Sequence, residues 1–427
     1  MRIKFEQKNE RVTRRAGLVL INEFGKRINL GEKVDQVFGP PGSNSGLPAS
    51  LYVESVVEML IDGALHLEDL RSLTCDAAYN ELIERTKYPS SDALGNWLRV
   101  QGERGGEEKL WRVMDPVITL TKGSDWTVDI DATIIESDKG DAKYTYKEGI
   151  RGYQPLVGII AENGLVVGSR FQEGNTSPQA DLQSFIAQCV RNSGGRIRHV
   201  RSDSAGYNHM VINYCEENAL TFTITADQDV AVKAVIRNIA ESEWKQGKTE
   251  NGEDAMWEVA ETVHVMGETP KAFRLVVKRT KQTHQLDLFS PGYTYWVVAT
   301  NLSEEQYDAN AVILFHQKRG EMERLLGEIK NHFNLEHLPC RQFVANGMYF
   351  TLGVMAYNIV QLIKQIGLGE EWMKRSIRTL RYQLLHIAAR VITHARYLFV
   401  RMVCVPEWFD LFEKAYLKIR NAPLAPA

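Results

Sequence analysis

"WTVDIDATII", residues 126–135, alternates apolar and polar side chains in a chain that reads as helical up to this point. Successive side chains of a strand point to opposite faces. Val128, Ile130, Ala132 and Ile134 therefore share one face, and Asp129, Asp131 and Thr133 share the other. Acidic residues are depleted in strands. Two aspartates on one face mean either an exposed, solvated sheet face or a chemical task.

Upstream, "TRRAGLVLINEFGKRI" (13–28) and "ASLYVESVVEMLIDGALHLEDL" (49–70) repeat apolar residues at intervals of three and four, the helical period. "GPPGSNSG" (39–46) between them is a loop by composition, with no Gly-Lys-Ser/Thr to make it a phosphate-binding loop. Ser90 or Ser91 opens a further helix, so residues 1–115 read as a helical N-terminal region, a DNA-binding one if it holds a helix-turn-helix. Downstream, "YQPLVGIIAENGLVVGSRF" (153–171) reads as two strands about an Asn163-Gly164 turn. "SPQADLQSFIAQCVRNSGG" (177–195) reads as a helix with a Ser or Pro start and a glycine stop. "RIRHVRSDSAGY" (196–207) is a strand running into a helix start, and "LTFTITA" (220–226) is another strand. This order predicts a mixed α/β sheet over 120–228. Residues 229–292 read as an inserted β-rich subdomain, 293–340 as a return to the sheet and a helix, and 341–427 as helical again. The apolar "NGMYFTLGVMAYNIVQLI" (346–363) carries Asn346, Asn358 and Gln361 and falls short of a comfortable membrane span, so it reads as a buried helix.

The 427 residues are 44% apolar and 25% charged, with a net charge of −3, which is ordinary for a soluble globular protein of several domains. Bulk charge does not advertise nucleic-acid binding, though a local basic surface is compatible with it. The cysteines are five, scattered and without a C-x-x-C pair, which predicts a reducing compartment and no disulfide framework or cysteine-rich zinc site. "MRIKFEQKNERVTRR" has no apolar core of a secretory signal, so a cytoplasmic protein is expected.

"FHQKRGEMERLLGEIK" (315–330) divides its charges. On a helical wheel His316, Glu323 and Lys330 fall within roughly 60° of Arg319, beside an apolar strip of Met322, Leu325, Leu326, Ile329 and Phe333. Glu321, Arg324 and Glu328 lie on the opposite side, where water can solvate them. Lys318 falls among the apolar residues and must snorkel outward, unless the helix starts after it. An unpaired charge at the buried margin is costly. The strip around Glu323 is thus either a structural ion-pair cluster or part of a site. Asp203 ends a strand, where open α/β sheets place ligands, or simply caps the next helix. Three carboxylates from two strands and a helix, all oxygen donors, suit Mg²⁺ or Mn²⁺ rather than zinc. Ions bridged by such carboxylates suit phosphoryl transfer, with Arg319 and Lys330 meeting phosphate oxygens.

At these residues the chain resembles the DDE transposases of bacterial insertion sequences, with an RNase H-like catalytic fold, and the branch carrying a Tyr-x2-Arg-x3-Glu-x6-Lys signature. Here the signature reads His316-x2-Arg319-x3-Glu323-x6-Lys330, with every spacing kept and histidine in place of tyrosine. "DAT" (131–133) and "RSDSAGY" (201–207) resemble the two aspartate motifs. The resemblance implies that Asp131, Asp203 and Glu323 are catalytic and hold Mg²⁺ (Mn²⁺ as a substitute), with Asp129 the second choice for the first position. It implies that His316, Arg319 and Lys330 contact DNA. It implies cutting at transposon ends and joining to target DNA by a homodimer, with no membrane association. A metal-dependent nuclease without strand transfer and a non-catalytic DNA-binding repressor are the alternatives. Further DNA contacts are expected along Lys374–Arg401, which holds seven Lys or Arg and no carboxylate, with Arg375, Arg378 and Arg381 near one helix face. Trp244, Trp257 and Trp296 are candidates for stacking on a base, though Trp296 sits in a buried-strand pattern.

Overall fold

The computed structural model describes residues 3–7, 10–43, 46–282 and 292–422. The chain starts with a short strand β1 (Val12–Thr13) and a bundle that includes helices Val19–Arg27, Leu30–Phe38, Ala49–Asp62, Ser91–Glu103 and Gly106–Thr119. Ser90 caps the fourth of these, its hydroxyl accepting the Ala93 amide at 3.2 Å.

Then come β2 (Trp126–Ala132), a small three-stranded sheet of β3 (Ile135–Glu136), β4 (Lys143–Tyr144) and β5 (Arg151–Tyr153), and the strands β6 (Leu156–Ile160), β7 (Val166–Arg170), β8 (Ile197–Ser202) and β9 (Thr221–Thr225). In the main sheet β7, β6 and β2 form an antiparallel meander, and β8 and β9 run parallel to β2 on its other side. That order and these directions are those of an RNase H-like sheet. Asn163 and Gly164 make the β6–β7 turn: Gly164 takes a left-handed φ of 72°, and the Asn163 side chain accepts the Leu165 amide.

Helix Leu182–Asn192 lies on this sheet. Gly158 and Gly168, neighbours on β6 and β7, let it approach. A Cβ at either position would come within 2.7 and 2.5 Å of the Cys189 sulfur. The helix begins at Leu182, not at the expected Ser or Pro, because Asp181 turns left-handed; it stops before Gly194 and Gly195, both left-handed.

Two expectations change. The strands β10 (Lys245–Lys248), β11 (Asp254–His264) and β12 (Phe273–Lys281) of the expected insertion are not a separate subdomain, while β13 (Tyr293–Thr300) is the expected return to the sheet. β13 pairs antiparallel with β9, and the others follow it outward, giving one sheet of nine strands. The region after 341 is not all helical either. β14 (Ala388–His394) and β15 (Tyr397–Val403) form a hairpin whose β14 pairs with β1, before the last helix Pro406–Asn421.

Helix Phe343–Ile363 is the expected buried helix. It has the length and hydropathy of a membrane span, but it lies inside the protein, against the N-terminal bundle and edge strand β7. Asn358 accepts the Val166 amide at 2.9 Å and donates to the Val166 carbonyl at 2.7 Å. The side chain thereby completes backbone hydrogen bonds that an edge strand leaves open.

Against this helix sits an ionisable group with no cation partner among the described residues. Glu107 lies over Gly347, where a Cβ would come within 2.3 Å of its carboxylate, and 3.5 Å from the Thr351 hydroxyl. Burial pushes its pKa up to about 7. A folded-state pKa above the unfolded one means that the folded chain binds the extra proton. Its contribution to stability is complete below the ordinary carboxylate range and is lost as pH rises through about 7. Glu107→Gln should flatten that part of the stability-versus-pH curve, between the ordinary carboxylate range and about 7. Urea denaturation across this range checks it; an unchanged slope would assign the loss to other groups.

Candidate active site

The parallel register of β2 and β8 builds the centre of the site. Ile130 pairs with Ser202, so Asp131, still paired with Val157 of β6, and Asp203, the first residue past the end of β8, stand side by side at the carboxyl end of the parallel pair. Adjacent strands lie about 4.8 Å apart, which puts the two carboxylates within reach of one cation. Asp203 also caps the short turn Ser204–Gly206 through one oxygen, which accepts the Ala205 amide at 3.1 Å. Its other oxygen remains free for the site. The cap and the site are therefore not alternatives.

The third element crosses this end of the sheet. Helix Ala309–Gln317 and helix Gly320–Gly327 are joined by a tight turn at Lys318 and Arg319, and a wider π-helical turn follows at Glu328–His332. The tight turn rotates Lys318 outward, 3.8 Å from Glu250, and so removes it from the apolar strip. Met322, Leu325, Leu326, Ile329 and Phe333 are all buried, as their spacing predicts. Arg319 places one guanidinium nitrogen 3.2 Å from Asp131 and 3.9 Å from Asp203. Glu323 follows one turn later on an exposed surface, close enough for its charge to act on Asp131. Burial pushes the Asp131 pKa up to about 6; Arg319 opposes the shift, while Asp203 and Glu323 add to it. Among the described residues no three carboxylate, imidazole or thiol groups already stand at metal-ligand spacing.

The donor set fits a hard divalent cation. Two carboxylates already converge on one positive group, and a third bears on them electrostatically. Beside them is a small cavity of about 40 Å³, lined by Asp131, Asp203, Tyr146, Gln154 and Ala205 among others. Gln154 is 1% exposed, and neither polar atom of its amide has a hydrogen-bond partner among the described residues. A buried amide of this kind is costly unless something polar meets it. The cavity has room for about one water molecule of a hydrated ion. Gln154 is a site residue that pattern reading missed, since a single glutamine between two strands has no periodic signature.

Other expected residues have other places. Asp129 is 2% exposed and held by Arg201, whose Nε and Nη2 both donate to its carboxylate, the latter at 2.6 Å. It is a buried ion pair and not free to bind a metal. His316 is 2% exposed. One ring nitrogen lies 3.0 Å from the Thr225 hydroxyl, and the ring packs against Trp296 at 5.4 Å. Burial, with Arg319 and Arg201 nearby, pushes its pKa down to about 3, so it stays neutral. This geometry gives it a core role instead of the expected phosphate contact. Lys330 donates to the Ile134 carbonyl at 2.7 Å and lines an open cleft with Lys147, Glu136 and Asp138.

The basic stretch from Lys374 divides in three. Arg375, over the Trp372 ring, precedes the helical turn Ile377–Leu380; Arg378 is exposed; Arg381 is spent on the carbonyls of Leu60, Ile61 and His332 at 2.6–2.8 Å. The three do not form one helix face. Glu328, expected in water, is buried: it accepts the Ile377 amide at 2.8 Å and faces Lys364 at 3.6 Å. The C-terminal segment packs over that side of the helix, which the helical wheel cannot show. The tryptophans are paired with cations within the sheet extension. Arg279 lies 4.1 Å from Trp244, and Lys278 lies between Trp257 and Trp296 at 5.0 and 5.7 Å.

The family model for the transposase DDE domain, group 1, matches residues 1–424. No curated protein matches the chain. Among solved structures, the piggyBac transposase synaptic complex with hairpin DNA is similar at 11% identity and a TM-score of 0.44, over 86% of this chain and 80% of that one.

Proposed function

Because the chain belongs to the transposase DDE domain group 1 family, we propose that it cuts DNA at transposon ends and joins them to target DNA, with Asp131, Asp203 and Glu323 as the catalytic carboxylates. The observation that carries this assignment is that Asp131 and Asp203, neighbours at the carboxyl end of two parallel strands, share the one Arg319 guanidinium nitrogen.

These three carboxylates would hold Mg²⁺, with Mn²⁺ able to replace it. Bound there, such ions supply activation of the attacking oxygen and stabilisation of the leaving oxygen in phosphoryl transfer. The chain's own groups do the rest. Arg319 neutralises Asp131 and Asp203 in the DNA-free protein. Its guanidinium can turn from carboxylate to phosphate once another cation balances the aspartates, because the fork fits both anions. Its Nε is buried and has no hydrogen-bond partner among the described residues, so the pair with Asp131 rests on the terminal nitrogen alone. Lys330 and Lys147 line a separate open cleft and would supply further cations for the DNA strand. Gln154 holds polar atoms at the floor of the cavity, where they can orient water near the aspartates.

The proposal extends to a homodimer, since two ends must be brought together before joining. Its test uses two substrates with Mg²⁺: intact end DNA, and pre-cut ends with a supercoiled target. Cutting of the first and covalent joining of the second is the expected result. Cutting without joining would make the protein a nuclease, and binding without either would make it a repressor.

A further inference from the structure

The hairpin of β14 and β15 presents an outer face that the described residues leave uncovered. Its register sets Ala388 against Val403, Arg390 against Arg401, Ile392 against Phe399 and His394 against Tyr397 on that face. Ala389 and Val391 point the other way and are buried. On the outer face Tyr397 is 70% exposed and Phe399 47%, with their rings 6.2 Å apart. Arg390, Arg401 and His394 are exposed too, as is Arg396 at the tip.

Two features make this face unlike a solvated surface. Arg390 and Arg401 are directly opposed, and like charges directly opposed across strands are destabilising. The strands supply no carboxylate to relieve them. Glu10, 3.7 Å from Arg390, is the one acidic contact described for the pair, while Glu81 is engaged elsewhere by Thr393 and Arg11. The second feature is the turn. Ala395 and Arg396 both take left-handed φ values, 47° and 68°, where Asn-Gly is the usual solution. Backbone strain of this kind persists only where the surroundings hold it. It keeps the hairpin a tight two-stranded ribbon with Arg396 at its end.

We propose that this hairpin is a duplex-DNA contact, with Arg390, Arg401 and Arg396 on the phosphates or base edges and Tyr397 and Phe399 against the sugars and thymine methyls. It rests on the reading of the protein as a transposase and adds a DNA surface outside the carboxylate site. Beyond Arg390, where the pairing with β1 ends, the hairpin is a two-stranded ribbon, a width that the major groove admits. Polyanionic DNA supplies the charge that the opposed arginines lack. A second copy of this chain fits less well, since apposing this face would add guanidinium groups to guanidinium groups with only Glu10 between them.

The test compares wild type with Arg390→Gln/Arg401→Gln and with Arg396→Gln. Binding to a short duplex is followed by fluorescence anisotropy over a range of salt. Loss of two phosphate contacts should lower the slope of log K against log salt by about two and weaken binding about tenfold at moderate salt. The single tip variant should lower the slope by about one. Melting temperature should stay level or rise in the double variant, because a like-charge pair is removed. Unchanged slopes in both variants would overturn the proposal. So would a loss of self-association in sedimentation without a loss of DNA affinity, which would assign the face to a second copy. If the double variant unfolds, Arg396→Gln decides alone, since it lies at the exposed tip. Mg²⁺-dependent cutting of end DNA by the wild type judges the transposase reading separately: its absence, with hairpin-dependent binding intact, sinks that reading and leaves this one standing.

Discussion

Asp131→Asn is expected to reduce Mg²⁺-dependent cutting of end DNA by about 10³-fold or more, the scale of losing several kcal/mol of metal-borne transition-state stabilisation. Asp203→Asn and Glu323→Gln should do the same. The change keeps the shape of the side chain and removes its charge, so the fold has little to lose. Burial and the two neighbouring carboxylates already push the Asp131 pKa up to about 6, which means that its ionised form is held at a cost in the free protein. A neutral amide avoids that cost, though Arg319 gives up its nearest carboxylate. The melting temperature of the metal-free variant should therefore stay close to that of the wild type. The upward shift that added Mg²⁺ gives the wild type should shrink, since a ligand stabilises only in proportion to its affinity for the folded state. Wild-type cutting by any one variant would remove that residue from the triad. A variant that cuts normally but melts far lower would make its carboxylate structural.

What the sequence disclosed of this site depended on whether the governing contacts were local. The alternation of 126–135 and the strand-to-turn position of Asp203 are local, and both aspartates stand where those patterns put them. The apolar strip of the Glu323 helix is also local, and it is buried throughout. Glu328 was misread because its burial comes from Lys364 and Ile377, far along the chain. Arg381 was misread for the same reason: its partners are carbonyls of Leu60, Ile61 and His332. The hairpin at Ala388–Val403 lacked a turn signal, since Ala395-Arg396 carries neither glycine nor asparagine. Its β-branched and aromatic content was available, but it stood between two helical stretches. The sheet extension is legible as strands and β13 as a return to the sheet, whereas its continuity with the main sheet depends on one pairing, β12 with β13, that no local pattern encodes.

Asp129→Ala is expected to destabilise the fold by about 3–5 kcal/mol, the cost of leaving a buried charge without its partner. Asp129 and Arg201 are each 2% exposed. The arginine reaches past the aspartate to the Phe315 carbonyl at 2.8 Å and lies 5.1 Å from the Phe315 ring. One guanidinium thus ties β2 and β8 to the helix that leads into Arg319. Removing the aspartate strands that guanidinium. Removing the arginine, as in Arg201→Met, strands the carboxylate and should cost a similar amount. Replacing both by apolar residues of like volume should recover most of the loss, because two desolvated charges return little net stability to the fold that pays for them. Urea denaturation of the three variants measures this, with the double-mutant cycle isolating the pair. The same experiment separates two aspartates that share one strand face. Asp129→Asn should fold less stably yet cut DNA at nearly the wild-type rate per folded molecule, whereas Asp131→Asn should show the reverse. A stable, inactive Asp129→Asn would move the metal site one pleat up β2 and would require the Arg201 pair to open during catalysis.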